Sequence, residues 1–383
     1  MKKFIAKALS GMLAVTLLTG CAGTSAASST AAASTSAATE IPTEVTITDH
    51  QDRTITVPTD PKKVAVLDIY PLASMLTIYL DSAESIVAME PASMSAAKNG
   101  VLSELYPEVL NANTNIMDGN DVNIESLVAL NPDVVFYNAG NKAEQQKLEN
   151  AGLTAVAVSA TKWNYDCIKT YNEWMSLLDK IYPSHASNRE DLVNQYSNDK
   201  YNEIQSKVSS ISEKQKVLFL FQYDDKTMIT SSSSFFGQWW CDAVGAENVA
   251  HDVQADNSNA KITMEQVYSW NPDVIIITNF TPTKPDDLYN NAIGSDDWST
   301  VKAVQDKRVY KMPLGSYRTY TPGVDTPMTL EWLAQAVYPD TFKDYNVAND
   351  VKDYYKTLYG VELTDTQIEK MYTANAAAGK FNK

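Results

Sequence analysis

One sixteen-residue unit occurs twice in this chain, 140 positions apart, and it limits the possible folds more than any other feature. The first copy, residues 123–138, reads Asn-Ile-Glu-Ser-Leu-Val-Ala-Leu-Asn-Pro-Asp-Val-Val-Phe-Tyr-Asn. The second, residues 263–278, reads Thr-Met-Glu-Gln-Val-Tyr-Ser-Trp-Asn-Pro-Asp-Val-Ile-Ile-Ile-Thr. Both keep Glu, Asn-Pro-Asp and Val in register. Ile124, Leu127 and Val128 in one copy, and Met264, Val267 and Tyr268 in the other, are spaced to form the buried face of a short helix. Pro132 and Pro272 then force the chain out of that helix. A wholly apolar run follows each proline, as expected of a strand in a parallel sheet covered on both faces. Two copies of helix, turn and strand predict two α/β lobes of similar topology.

The rest of the pattern fits around these units. Residues 45–48 and 54–57 alternate apolar and polar side chains about a polar turn, which reads as a hairpin, and Val64 to Leu67 reads as a short buried strand. Residues 187–212 contain no Gly or Pro and carry Leu192, Tyr196, Ile204, Val208 and Ile211 at helical spacing. This predicts one long helix crossing from lobe to lobe. Lys216 to Phe221 opens the second lobe as a strand, residues 307–312 form a later one, and Thr329 to Val337 reads as a helix. The tail from Asp344 has helical runs such as Val351 to Tyr359 and is expected to pack on the second lobe. The expected divisions are therefore 41–185, 186–212, 213–342 and 343–383.

Lys2, Lys3 and Lys7 precede an apolar run from Ala8 to Leu18, too short to span a bilayer comfortably. This reads as a secretory signal over residues 1–20. The run ends in Leu-Thr-Gly-Cys21, which resembles the lipobox of bacterial lipoproteins. The resemblance implies that Cys21 is lipidated and holds the protein to the extracytoplasmic face of the cell membrane. Every residue from Ala22 to Thr39 is Ala, Ser, Thr or Gly, the composition of a flexible tether over 21–40. Cys167 and Cys241 are expected to be separate buried thiols in different lobes.

The formal charge of −16 argues against nucleic acid and anionic lipid surfaces as general partners. Three Cys and three His are too few for a disulfide scaffold or a multi-His metal cage. No phosphate-binding loop, nucleophile elbow or His-Glu-x-x-His motif is present, so no catalytic residue or cofactor is assigned.

From Val45 to Phe342 the chain resembles class III substrate-binding proteins of ABC importers. The carriers are the opening hairpin with Pro61-Lys-Lys-Val-Ala-Val-Leu67, both Glu-containing Asn-Pro-Asp units, residues 298–313 and residues 323–334. The resemblance implies an α/β fold of two lobes with mostly parallel sheets, joined by a single long α-helix, with the ligand in the cleft. That stiff helix would limit lobe closure to a modest change. The implied partners are a small metal chelate, a permease dimer with its ATPase, and the membrane through Cys21. The protein is expected to act as a monomer and not as an enzyme, a chelate-modifying enzyme on the same fold being the rival class. Iron–siderophore is the favoured ligand because the family is richest in it; haem, cobalamin and metal oxyanions stay open. By the same resemblance, Glu125 and Glu265 would dock onto arginines of the two permease subunits.

Ligand residues are sought in loops after strand ends, where two-lobed α/β proteins place them. That rule nominates Asp68 to Tyr70, Met89 and Glu90, Asn138 to Asn141, Trp163, Tyr223, and Gly315 to Tyr320. The chain has only four Arg, at 53, 189, 308 and 318. Arg318, flanked by Tyr317 and Tyr320, is the best candidate for clamping an anionic ligand. Trp163 and Tyr223 are candidates for stacking on a planar ligand. Ser231 to Phe236 precedes a helix and is a candidate for offering amides to an anion. Trp239 and Trp240 fall at helical spacing and read as core.

Overall fold

The sheets follow from the apolar runs. In the computed structural model, which describes residues 41–119, 121–186, 188–255 and 260–379, Val64–Val66, Ile86–Met89, Val134–Asn138 and Ala155–Val158 form one parallel sheet. Val64–Val66 lies between Ile86–Met89 and Val134–Asn138, with Ala155–Val158 outermost. Apart from Val87 and the terminal Asn138, every side chain of these strands is buried, as expected of a sheet covered on both faces. A second sheet centres on Lys216–Tyr223, Val274–Ile277 and Val309–Lys311, again parallel. Its edge turns antiparallel through Met228–Thr230 and Ala260–Lys261. The hairpin pairs Glu44–Thr48 with Thr54–Pro58. The signal, the tether and Cys21 lie outside the described residues.

The repeated unit has a physical cause. Asn123 caps the helix Ile124–Ala129, and a Thr263–Gln266 capping box starts Met264–Trp270. Asn131 and Asn271 both adopt the left-handed conformation that ends the helix. The aspartate that follows ties each unit to its sheet. Asp133 accepts from the amides of Lys62 and Lys63 at 2.8 and 2.9 Å, and Asp273 accepts from Lys216 at 2.9 Å. Leu127 and Val267 are buried as the spacing predicts, but Val128 and Tyr268 are exposed, at 44% and 42%. Each helix is too short to bury a second position one residue on, so both copies leave that side chain outside.

The crossing helix runs Arg189–Val208, about 30 Å at the α-helical rise. Its buried stripe is Val193, Ser197, Ile204 and Val208, whereas Leu192 is exposed. The stripe is one position round from the expected one at its start, with Val193 and Ser197 buried in place of Leu192 and Tyr196. Lys200 reaches across to the buried carboxylate of Glu331, 2.5 Å away, on the helix Thr326–Val337.

Two packing expectations need amending. The tail packs into the core of the first lobe as well as against Val324 to Met328 of the second. Val351, Tyr354, Tyr355, Leu358 and Tyr359 of the helix Val347–Tyr359 share one apolar cluster with Leu72, Tyr171 and Trp174. Burying such side chains contributes roughly 1.5–3 kcal/mol each before ordering costs. Tyr hydroxyls make both contacts: Tyr354 pairs with Tyr171 at 2.9 Å and donates to the Val324 carbonyl at 2.6 Å. Cys167 and Cys241 are free and buried, but they share one apolar cluster, where the start of the helix Cys167–Ile181 meets the second lobe.

Candidate ligand cleft

The loop after Val309–Lys311 builds the second-lobe wall. Gly315 has φ +59°, and a Cβ there would sit 2.6 Å from the Asp325 carboxylate, so glycine is required. Asp325 accepts from the amide and hydroxyl of Ser316 at 2.8 and 2.6 Å and from the Tyr355 hydroxyl at 2.6 Å. These bonds hold the loop so that Arg318 points inward, fully buried. Its guanidinium lies over the Phe280 ring at 5.1 Å. Nη1 donates to the Tyr317 hydroxyl at 3.3 Å, and Nε donates to the Ala378 carbonyl at 3.1 Å. Lys311 fixes the loop that carries Phe280: its Nζ donates to the carbonyls of Thr278, Thr281 and Thr283 at 2.6–2.8 Å. Burial pulls that amine down to about 7.

The first-lobe wall comes from the ends of Val64–Val66 and Ile86–Met89. Asp68, in the left-handed conformation, donates its amide to Glu90 at 2.7 Å and accepts from Asn141 at 3.1 Å. Burial raises the Glu90 carboxyl well above the usual range; the Asp68 amide opposes the shift and the Asp68 carboxylate adds to it. Burial also lifts Glu144 to about 7, and its Oε1 has no hydrogen-bond partner among the described residues. Tyr70 is raised mainly by burial, then by Glu90 and Asp68; Tyr317 adds to the shift and Arg318 opposes it. Tyr70 thus lies within electrostatic reach of Asp68, Glu90, Tyr317 and Arg318. The lobes meet beside them, where a Cβ on Gly100 would lie 3.0 Å from the Gly315 carbonyl.

The structure thus groups Asp68, Tyr70 and Glu90 near Tyr317 and Arg318, and uses Met89, Trp163, Tyr223 and Tyr320 elsewhere. Met89 is core. Trp163 packs edge-on to His50 and against the first-lobe core, and the His50 Nδ1 accepts from the Ser159 amide. Tyr223 is buried and donates to Asp296 at 2.8 Å while accepting from Trp298 at 2.9 Å. Tyr320 is core: its hydroxyl and that of Ser231 both accept from the Gly237 amide, so that helix start is already satisfied. Trp240 is buried as expected and donates to the Tyr320 carbonyl. Sequence reasoning missed Asp325 and the tail. The signal for the tail was Tyr354, Tyr355 and Tyr359, too apolar a face for a solvated helix.

On the outer surface Glu125 and Glu265 are both exposed. Each has an exposed apolar residue three positions on, Val128 or Tyr268, on the same helical face. Hydrogen bonds from Thr263 and its own backbone hold Glu265 below the usual carboxylate range.

A two-lobed α/β protein with a helix crossing between lobes and an arginine in the cleft is built as a solute receptor. The periplasmic binding protein family model matches residues 78–314. The molybdate-binding protein MolA of Haemophilus influenzae is 27% identical over 333 residues, 82% of this chain and 90% of that protein. The ABC transporter substrate-binding lipoprotein YvrC of Bacillus subtilis is 24% identical, over 87% of this chain and 96% of its own. The solved periplasmic solute binding protein of Veillonella parvula superposes with a TM-score of 0.75 at 30% identity, over 86% and 97% of the two chains. This chain belongs to the periplasmic binding protein family and is a solute-binding receptor of the ABC-importer kind.

Proposed function

We propose that the receptor takes a small metal oxyanion in the cleft and carries it to a permease dimer driven by an ATPase. The carrying observation is Arg318: a fully buried guanidinium beside the Tyr317 hydroxyl, already donating to an oxygen. Paired donors in a fixed fork suit an oxyanion. Size supports the choice. Ser93, Ser316, Arg318 and Thr319 are all nearly inaccessible, so a compact anion needs only local displacement of the Ala378 carbonyl from Arg318, whereas a chelate of tens of atoms needs the lobes to part. The 27% identity with a molybdate-binding protein points the same way. The iron–siderophore expectation rests on family frequency, and no cleft residue singles it out.

In this reading Cys21 carries the lipid, residues 21–40 are the tether, and Glu125 and Glu265 meet the two permease subunits, each beside its exposed apolar neighbour. Equilibrium dialysis with metal analysis tests the ligand. Molybdate or tungstate should be retained at one per chain, and Arg318→Ala should weaken retention roughly a hundredfold, the loss of two charge-assisted hydrogen bonds. Retention of a ferric siderophore, haem or a corrinoid, with neither oxyanion bound, sinks the proposal.

A further inference from the structure

The tail does not stop at the first lobe. After the helix Asp365–Tyr372 the chain turns into the cleft. Met371 accepts from the Leu314 amide of the second lobe at 2.9 Å, while Lys370 pairs with Glu104 of the first. Asn375 donates to the Asn99 carbonyl at 3.0 Å, at the end of the first-lobe helix Pro91–Asn99. The turn Ala377–Gly379 then lies against the second lobe. Ala378 is fully buried, and its carbonyl accepts from both Nε and Nη2 of Arg318. Gly379 is pressed so close that a Cβ would meet the Thr281 backbone at 2.2 Å. Residues 375–379 therefore touch both walls, and a backbone oxygen stands where the guanidinium would hold an anion.

We propose that residues 374–379 are a built-in competitor for the ligand site, with the Ala378 carbonyl standing in for one ligand oxygen. This rests on the reading that Arg318 holds the solute. Binding of the anion then requires Arg318 to exchange the carbonyl for the ligand. The apparent affinity is the intrinsic one scaled down by the fraction of molecules whose tail has left the cleft. The tail also fills the cleft around Arg318, so solutes that cannot displace it are rejected.

The test uses the full chain with molybdate as probe. Gly379→Val cannot seat its side chain against Thr281, so it expels the turn without touching either wall. It should bind molybdate roughly tenfold more tightly than the wild type, because one charge-assisted contact no longer has to be broken. Asn375→Ala removes the tie to Asn99 and should tighten binding about threefold by the same route. Hydrogen exchange on the wild type reads the event without a substitution: protection of residues 375–379 should fall when molybdate binds. Equal or weaker binding by Gly379→Val, with its melting curve intact, makes the tail a fixed wall and overturns the competition while the receptor reading stands. Protection that rises on binding does the same. Failure of every chain, wild type included, to bind molybdate overturns the oxyanion reading and the competition together.

Discussion

The two lobes share an outer face and differ on the inner one. Outside, each presents a capped helix with an exposed glutamate, an exposed apolar residue three positions later, and an aspartate tying the unit to its sheet. Inside, the first lobe offers Asp68, Tyr70 and Glu90, and the second offers Tyr317 and Arg318 on a loop locked by Asp325. Outside, the repeat keeps the same residue types at matching positions. Inside, a carboxyl-rich wall faces a cationic one. Under the proposed function a partner would read the lobes alike, while an anionic ligand would be held mainly by the second.

The outer half of that comparison breaks with the largest effect. Glu125→Lys combined with Glu265→Lys should reduce uptake to background in cells while the purified protein keeps its affinity. Charge reversal at such positions acts on orientation and association rate. The two single reversals should cost similar amounts. Uptake that survives the double change would show that the outer faces are not the docking surface. One large and one negligible single effect would show that the partner does not read the lobes alike.

The inner half is sharpened by Asp325. Removing its carboxylate in Asp325→Ala leaves the Ser316 amide, the Ser316 hydroxyl and the Tyr355 hydroxyl without their acceptor. Each unsatisfied buried donor costs about 1–3 kcal/mol, so a loss of roughly 3–5 kcal/mol and a fall of several degrees in Tm are expected. Because the same loop carries Arg318, molybdate affinity should drop as well. An unchanged affinity at a lowered Tm would separate the lock from the site.

How much of this was legible depended on the range of the interactions. The repeated units were, because proline, capping residues and apolar runs act within a few positions. The place of Arg318 on the loop after a strand was, because that strand is a short local run. Tyr223 and Tyr320 were not separable from ligand residues. An aromatic at a strand end looks the same whether its partner is a solute or Asp296, which lies 73 positions from Tyr223. The tail was unreadable for the same reason: Tyr171 and Tyr354, 183 positions apart, hold it to the first lobe. Spacing located Val128 and Tyr268 on the helix, but their exposure depends on how much of a short helix the sheet can cover.

The smallest expected effect concerns the protons of the first-lobe wall. Glu90 is raised above the ordinary value of 4.5 by burial, so the folded chain keeps a proton that the unfolded chain releases. Stability from this group is therefore greatest at mildly acidic pH and declines as pH rises past 4.5, until Glu90 ionises in the fold. Glu144, at about 7, acts in the same direction. His50 opposes them on the acid side: burial lowers it to about 4, so stability is lost as pH falls from 6.5 towards that value. Lys311, lowered to about 7, opposes them on the alkaline side, where the unfolded chain binds the extra proton up to 10.5. The difference between wild type and Glu90→Gln cancels His50 and Lys311 and leaves Glu90 with its linked neighbour Glu144. Measured by denaturant titration from pH 5 upward, the wild type should lose about 1.4 kcal/mol per pH unit relative to the variant across the window. A difference independent of pH would mean that Glu90 is ionised throughout. The first-lobe wall would then repel an anion outright, and Arg318 alone would have to outweigh it.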